Sequence, residues 1–253
     1  SGGANWDSPN HINRDGAVPL AFSGCRLDID TSQQHIPRAS PLLSTQFGQS
    51  SVALCPMHFW QNFPSTLNAD GALARIGLFP REHPDRHEIQ GGERKTHAVW
   101  LRLSPDHLSS HDEWLRTPAI VSTTPAWNAC AGALPFITPS KQDPQDPYLM
   151  LINAAIEGPD TFNAKRERMD EYGWRNFGDI PADHEQTYYR GKEPLISHYN
   201  NQYDIVLGLG THYLRSGDPR WFDEMQILAS HVRDIDIYHT DEDVPAYNRG
   251  MFW

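Results

Sequence analysis

The chain has 253 residues and a formal net charge of −11, with 38% hydrophobic, 21% charged and 11% aromatic residues, which suits one or two globular domains and neither a disordered nor a fibrous protein. The acidic balance, with no run rich in Lys or Arg, argues against nucleic acid as the main partner. No segment is apolar over the length a membrane-spanning helix needs, so no membrane insertion is expected.

Residues 1 to about 104 read as β structure. Ala72 to Phe79 and His97 to Leu103 alternate with period two, Asp70-Gly71 precedes the first run as a turn, and Gly91-Gly92 before the second is a turn or bulge signal. The second run places Val99, Leu101 and Leu103 on one face. From about 105 to 147 seven prolines, Pro105 to Pro147, mark a connector with room for a short helix near His111 to Leu115.

After residue 148 the period becomes helical. Tyr148, Leu151, Ile152, Ala155 and Ile156 form one stripe, ended by Gly158-Pro159. Tyr203, Val206, Leu207, Gly210, Tyr213 and Leu214 form another, with Ile205 and Leu209 as a second apolar face, which predicts a helix packed on two sides. Gly217 stops it, Asp218 caps the next helix, and Pro219 takes that helix's first position; Trp221, Phe222, Met225, Leu228, Ala229 and Val232 continue the stripe, so the pair is a helix hairpin. The expected fold is α+β and multidomain: a β-sandwich-like domain over 1–104, the connector over 105–147, and over 148–253 the first part of an (α/α) toroid. That layout matches many carbohydrate-active enzymes, an analogy at the level of fold.

Cys25, Cys55 and Cys130 are widely spaced, fit neither a zinc nor a redox pattern, and read as buried thiols, one disulfide being the lesser alternative. The chain starts at Ser1 without Met and stops at Trp253 with no polar tail, and it reads as a fragment open at both ends.

The densest chemistry lies in Trp174-Arg175-Asn176, Asp183-His184-Glu185 and His198-Tyr199-Asn200-Asn201. An indole, a guanidinium, carboxylates, imidazoles and amides within about thirty positions suit a sugar-binding cleft: an aromatic face stacks on a pyranose, amides and carboxylates bind hydroxyls, and Arg or His neutralises an acidic sugar. The same residue types also cap helices and fill cores. Lys95 and His97, at the start of a predicted strand, are further candidates for the same cleft, although each alone suits a surface turn.

Six phrases resemble one family: Phe59 to Pro64, Gly77 to Pro80, Gln90 to His97, Glu171 to Asp179, Ser197 to Asp204 and Asp234 to Thr240. They are similar to the exo-rhamnogalacturonan lyase-like proteins. The resemblance runs from about residue 55 to the end. It implies a β domain followed by an (α/α) toroid, chain-end attack on pectic rhamnogalacturonan, and a secreted or extracellular location.

A lyase cuts a uronide by β-elimination and needs a group that neutralises the C6 carboxylate, a base for the C5 proton and an acid for the departing O4. Arg175, Asn200 and Asn201 suit the first task. His198 and Tyr199 suit proton transfer, with their roles as base and acid left open. Trp174 suits stacking, and Asn176, Asp183 and His184 suit sugar hydroxyls. Two other classes stand beside the lyase. A toroid glycoside hydrolase would use a carboxylate pair from Asp179, Asp183, Glu185, Asp204, Asp236 and Asp241. A non-catalytic carbohydrate-binding protein would use the same fold without an acid and base pair. Asp241-Glu242-Asp243 reads as a solvated acidic loop. No cofactor is expected; a metal, if one is used, would be Ca²⁺ held by carboxylates, since neither a zincin nor an EF-hand pattern is present.

Overall fold

The computed structural model describes residues 1–251 except 72, 107, 145, 181–187, 192–194 and 196–202, and only the backbone of Ser110 and His111. The fold is mixed α and β with antiparallel sheets. Among the described residues the strands precede residue 105 and the α-helices follow residue 124. The chain divides into two units: Ser1–Gln90, Lys95–Ile120 and Tyr172–Phe177 form the first, and Gly91–Arg94, Val121–Glu171 and Gly178–Trp253 the second.

Among its described residues the first unit holds three small antiparallel sheets. β1 (Cys25–Ile29) pairs with β2 (Ser32–Ile36), and β5 (Thr66–Asp70) pairs with β6 (Leu73–Gly77) across the expected Asp70-Gly71 turn. In the third sheet β4 (Ser50–Pro56) lies between β3 (Leu43–Phe47) and β7 (Val99–Ser104). Period-two alternation sorts β4 into two faces. Ala53 and Cys55 turn to a core with Leu115, Leu42 and Leu108. The neighbours Val52 and Leu54 pair with Leu103 and Leu101. Val99, Leu101 and Leu103 share a face as expected, but Leu101 and Leu103 are 65% and 77% exposed, so β7 leaves that face open although Leu54 opposite Leu101 on β4 is buried. The other face of β7 carries Arg102, which pairs with buried Asp112 at 2.9 Å. The short helix expected near His111 is a 3₁₀ turn, Ser110–Leu115, that seats Leu115 in the core.

The second unit carries the α-helices. α1 (Pro125–Ala131) lies inside the expected connector. Its signal was present, since Thr124 caps it, Pro125 opens it and Gly132 closes it, but the density of prolines hid it. α2 (Asp146–Asn153) ends before the expected Gly158-Pro159, and α3 (Phe162–Met169), with Thr161 as N-cap, is too polar for an apolar stripe to reveal. The surest elements are α4 (Ile205–Ser216) and α5 (Pro219–His231), joined across Gly217-Asp218. Asp204 is the N-cap of α4, one position before the helix, and accepts from Leu207 N at 3.4 Å.

The core of this unit gathers Ile180, Leu209, Trp221 and Leu228, with Ile152, Ile156, Phe162, Ile205, Tyr213 and Met225 packed against them. Ile205 and Leu209 thus pack as one face of α4, and Val206 and Tyr213 of the other predicted stripe pack against the same core, while Leu207 of that stripe is exposed. Two buried ion pairs add to this core. Arg166 of α3 meets Glu224 of α5 through both terminal guanidinium nitrogens, at 3.2 and 2.5 Å, and Arg215 of α4 meets Asp143 at 2.5 Å. Gly178 has φ +113, and a Cβ there would lie 2.6 Å from the Ile227 carbonyl oxygen, so only glycine lets the chain pass this close to α5 and bring Ile180 into the core. After α5 a π-helical turn, Val232–Asp236, leads into a bridge between Ile237 and Met251.

Candidate functional site

Two of the expected site residues, His97 and Trp174, meet in the first unit around Phe79, and Arg175 lies over the Trp174 ring. The Phe79 ring lies edge-on to His97 at 5.9 Å, to Trp174 at 5.4 Å and to His87 at 5.3 Å between centroids. The Tyr172–Phe177 segment is bound in place by its backbone: Gly173 N donates to the Gln61 carbonyl at 2.7 Å and Trp174 N to the Phe63 carbonyl at 2.9 Å. Aromatic packing then fixes it, with Tyr172 against Trp60 and the Arg38 guanidinium 4.0 Å from the Trp60 ring centre. The phrases Phe59 to Pro64, Gly77 to Pro80 and Glu171 to Asp179 therefore share one packing unit up to Phe177.

Around this cluster lie further titratable groups. His83 and His87 sit 5.2 Å apart, and burial, then the charge of His87, holds the His83 imidazole below its usual range, with Asp85 opposing. Asp85 is itself held below the usual carboxylate range by the amide of Asn13, which donates to it at 2.6 Å. A cavity of about 10 Å³ lined by His58, Asn62, His97 and Val99 among others has room for a water and not for a sugar.

The individual side chains are engaged. Trp174 has 8% of its surface exposed, with Phe79 at its edge and the Arg175 guanidinium 5.3 Å from its ring centre. Stacking on a sugar needs an open face, so as it stands Trp174 is a packing residue and not the rim of a cleft. Arg175 donates to the Glu88 carbonyl at 2.5 Å, and the Asn176 amide donates to the Asn10 carbonyl at 3.2 Å. Lys95 belongs to the same unit and is partly buried. His198, Tyr199, Asn200, Asn201, Asp183, His184 and Glu185 lie outside the described residues.

Of the carboxylates a hydrolase would draw on, Asp179 and Asp236 flank buried His231 in the second unit, 3.5 and 3.4 Å from its Nε2. Asp204 caps α4, and Asp241 is forked to Arg249. Among the described residues no group of three His, Cys, Asp or Glu is placed to hold a metal ion. The three thiols are free: Cys55 is buried, Cys25 half-buried and Cys130 exposed, which corrects the expectation of three buried cysteines.

The second unit holds a polar pocket of about 260 Å³ lined by Arg94, His239, Thr240, Asp241, Glu242 and Arg249. Sequence reading passed over it because its walls come from positions more than 140 apart and because Asp241 to Asp243 looked like a solvated loop. The signal that was available is the pair of phrases Gln90 to His97 and Asp234 to Thr240, singled out separately. They meet where Arg94 N donates to the Asp234 carbonyl and His239 N to the Gly92 carbonyl, each at 2.8 Å. Compared with models of known families and with curated proteins, the chain finds no match.

Proposed function

We propose that the chain belongs to a carbohydrate-active enzyme, a lyase that cleaves rhamnogalacturonan-type acidic polysaccharide by β-elimination. The observation that supports this reading is that His97 and Trp174 both pack against Phe79, with Arg175 over the Trp174 ring, although His97 is far from the other two in sequence. In this reading the Glu88 carbonyl and the Trp174 ring orient the Arg175 guanidinium, which neutralises the uronate carboxylate with help from Asn200 and Asn201. His198 and Tyr199 move the protons. The finer architecture, a β-sandwich-like domain and the beginning of an (α/α) toroid, and a secreted location belong to the same proposal. A hydrolase is the weaker reading because its candidate carboxylates among the described residues, Asp179, Asp204, Asp236 and Asp241, are each engaged with a partner within the protein.

The test is to incubate the full-length protein with rhamnogalacturonan and with polygalacturonan and follow the ultraviolet absorbance of the C4=C5 double bond that elimination creates. New reducing ends without that absorbance would mean hydrolysis, and neither would mean a binding protein. His198→Ala and Tyr199→Phe should lower turnover more than affinity.

A further inference from the structure

The geometry points to a second ligand site, the pocket of Arg94, His239, Thr240, Asp241, Glu242 and Arg249, which takes a hydroxylated carboxylate of monosaccharide size. Most of its lining is already committed to holding the walls. Arg249 forks onto Asp241, Nε to Oδ1 at 2.7 Å and the second nitrogen to Oδ2 at 2.5 Å. His239 Nε2 sits 2.6 Å from the Arg233 carbonyl oxygen, and the Thr240 hydroxyl accepts from Glu242 N at 3.1 Å. Two side chains are left over. The Arg94 guanidinium and the Glu242 carboxylate, both exposed, have no hydrogen-bonding or ionic partner among the described residues.

That remainder selects a ligand class. A free guanidinium fits a carboxylate through two parallel N–H bonds, and a free carboxylate beside a Thr hydroxyl accepts hydrogen bonds from hydroxyls. The two guanidinium groups are balanced by two carboxylates, so a phosphate dianion would meet as much repulsion as attraction. A pocket of about 260 Å³ is smaller than those that enclose drug-sized ligands, roughly 300 Å³ and upward, and holds one sugar unit. The polar walls offer little to an apolar ligand.

Arg94 is placed by its backbone. The Gly92-to-Arg94 stretch is bonded at both ends, to His239 N and to the Asp234 carbonyl. Gly92 has φ +87, and a Cβ there would lie 2.2 Å from Cδ2 of Tyr238, whose hydroxyl is held by Asp243 at 2.7 Å. Gly92→Ala therefore displaces Arg94 without removing any group from the pocket. The site shares no residue with the Phe79 cluster, and its ligand binding does not require that polysaccharide be cleaved.

The test is calorimetric titration of the 253-residue protein with D-galacturonate, D-galactose and glycine. Galacturonate should bind at least about tenfold more tightly than galactose, the worth of one charge-assisted contact. Arg94→Ala and Gly92→Ala should each remove that preference with an unchanged far-ultraviolet spectrum, Arg94→Lys should keep part of it, and Arg75→Ala should leave it intact. Equal binding of the two sugars, no binding of either, or galacturonate affinity retained in Arg94→Ala would overturn the site. Glycine competing as well as galacturonate would also overturn it, in favour of a zwitterion site. A protein that binds galacturonate here yet produces no unsaturated product would keep this site and lose the lyase reading.

Discussion

Arg166→Ala should destabilise the helical unit severely. Arg166 is 4% exposed and Glu224 12%, and both terminal guanidinium nitrogens reach the carboxylate, so the pair ties α3 to α5 in a setting largely closed to water. Truncating one partner leaves the other charge buried and unpaired, which costs about 3 to 5 kcal/mol. At roughly 2 to 4 °C per kcal/mol for a chain of this size, the melting temperature should fall by about 6 to 20 °C. Because the α-helices lie in the second unit, the helical circular dichroism signal reports this unit, and urea titration at that signal gives the loss directly. Glu224→Ala should cost a similar amount. The double variant Arg166→Met/Glu224→Leu should recover part of it, since neither charge of this pair then faces a lost partner. If each single variant costs less than about 1 kcal/mol, the pair behaves as a solvated surface bridge and the reasoning fails. It fails equally if the double variant loses the sum of the two.

His212 packs its ring 5.1 Å from that of Trp221, and burial, then the charge of Arg215, holds its imidazole below the usual range. The unfolded chain then binds a proton more readily than the folded one, so this contribution is complete above about pH 6.5 and is lost as the pH falls below it. The helical signal should melt at lower temperature at pH 5.5 than at pH 7.5, with the difference reduced in His212→Gln; an unchanged difference in that variant would refute the assignment. A thiol reagent under native conditions should modify exposed Cys130 first, because burial shields Cys25 and Cys55 and pushes their thiols up; equal rates at the three would contradict that burial.

What the sequence determined by itself is local. Asp218, Pro219 and the stripe Trp221, Met225, Leu228 specify α5 because capping and a 3.6-residue period act within a few positions, and the alternation of Val99, Leu101 and Leu103 specifies β7 in the same way. The short α1 and polar α3 were missed since their capping signals stood without an apolar stripe. Of the candidate site, residue types were legible and partners were not. Trp174 reads equally as a sugar platform and as a core indole until Phe79 is placed against its edge, and Arg175 reads as a free cation until Glu88 is placed beside it. The same holds for Arg94, whose place in a pocket depends on Gly92 accepting a bond from His239 and on Tyr238 lying where a side chain at 92 would be. Whether a polar side chain is available or spent depends on groups brought together across 80 to 150 positions, and only the folded chain decides that, because burial and pairing are properties of tertiary contact and carry no period.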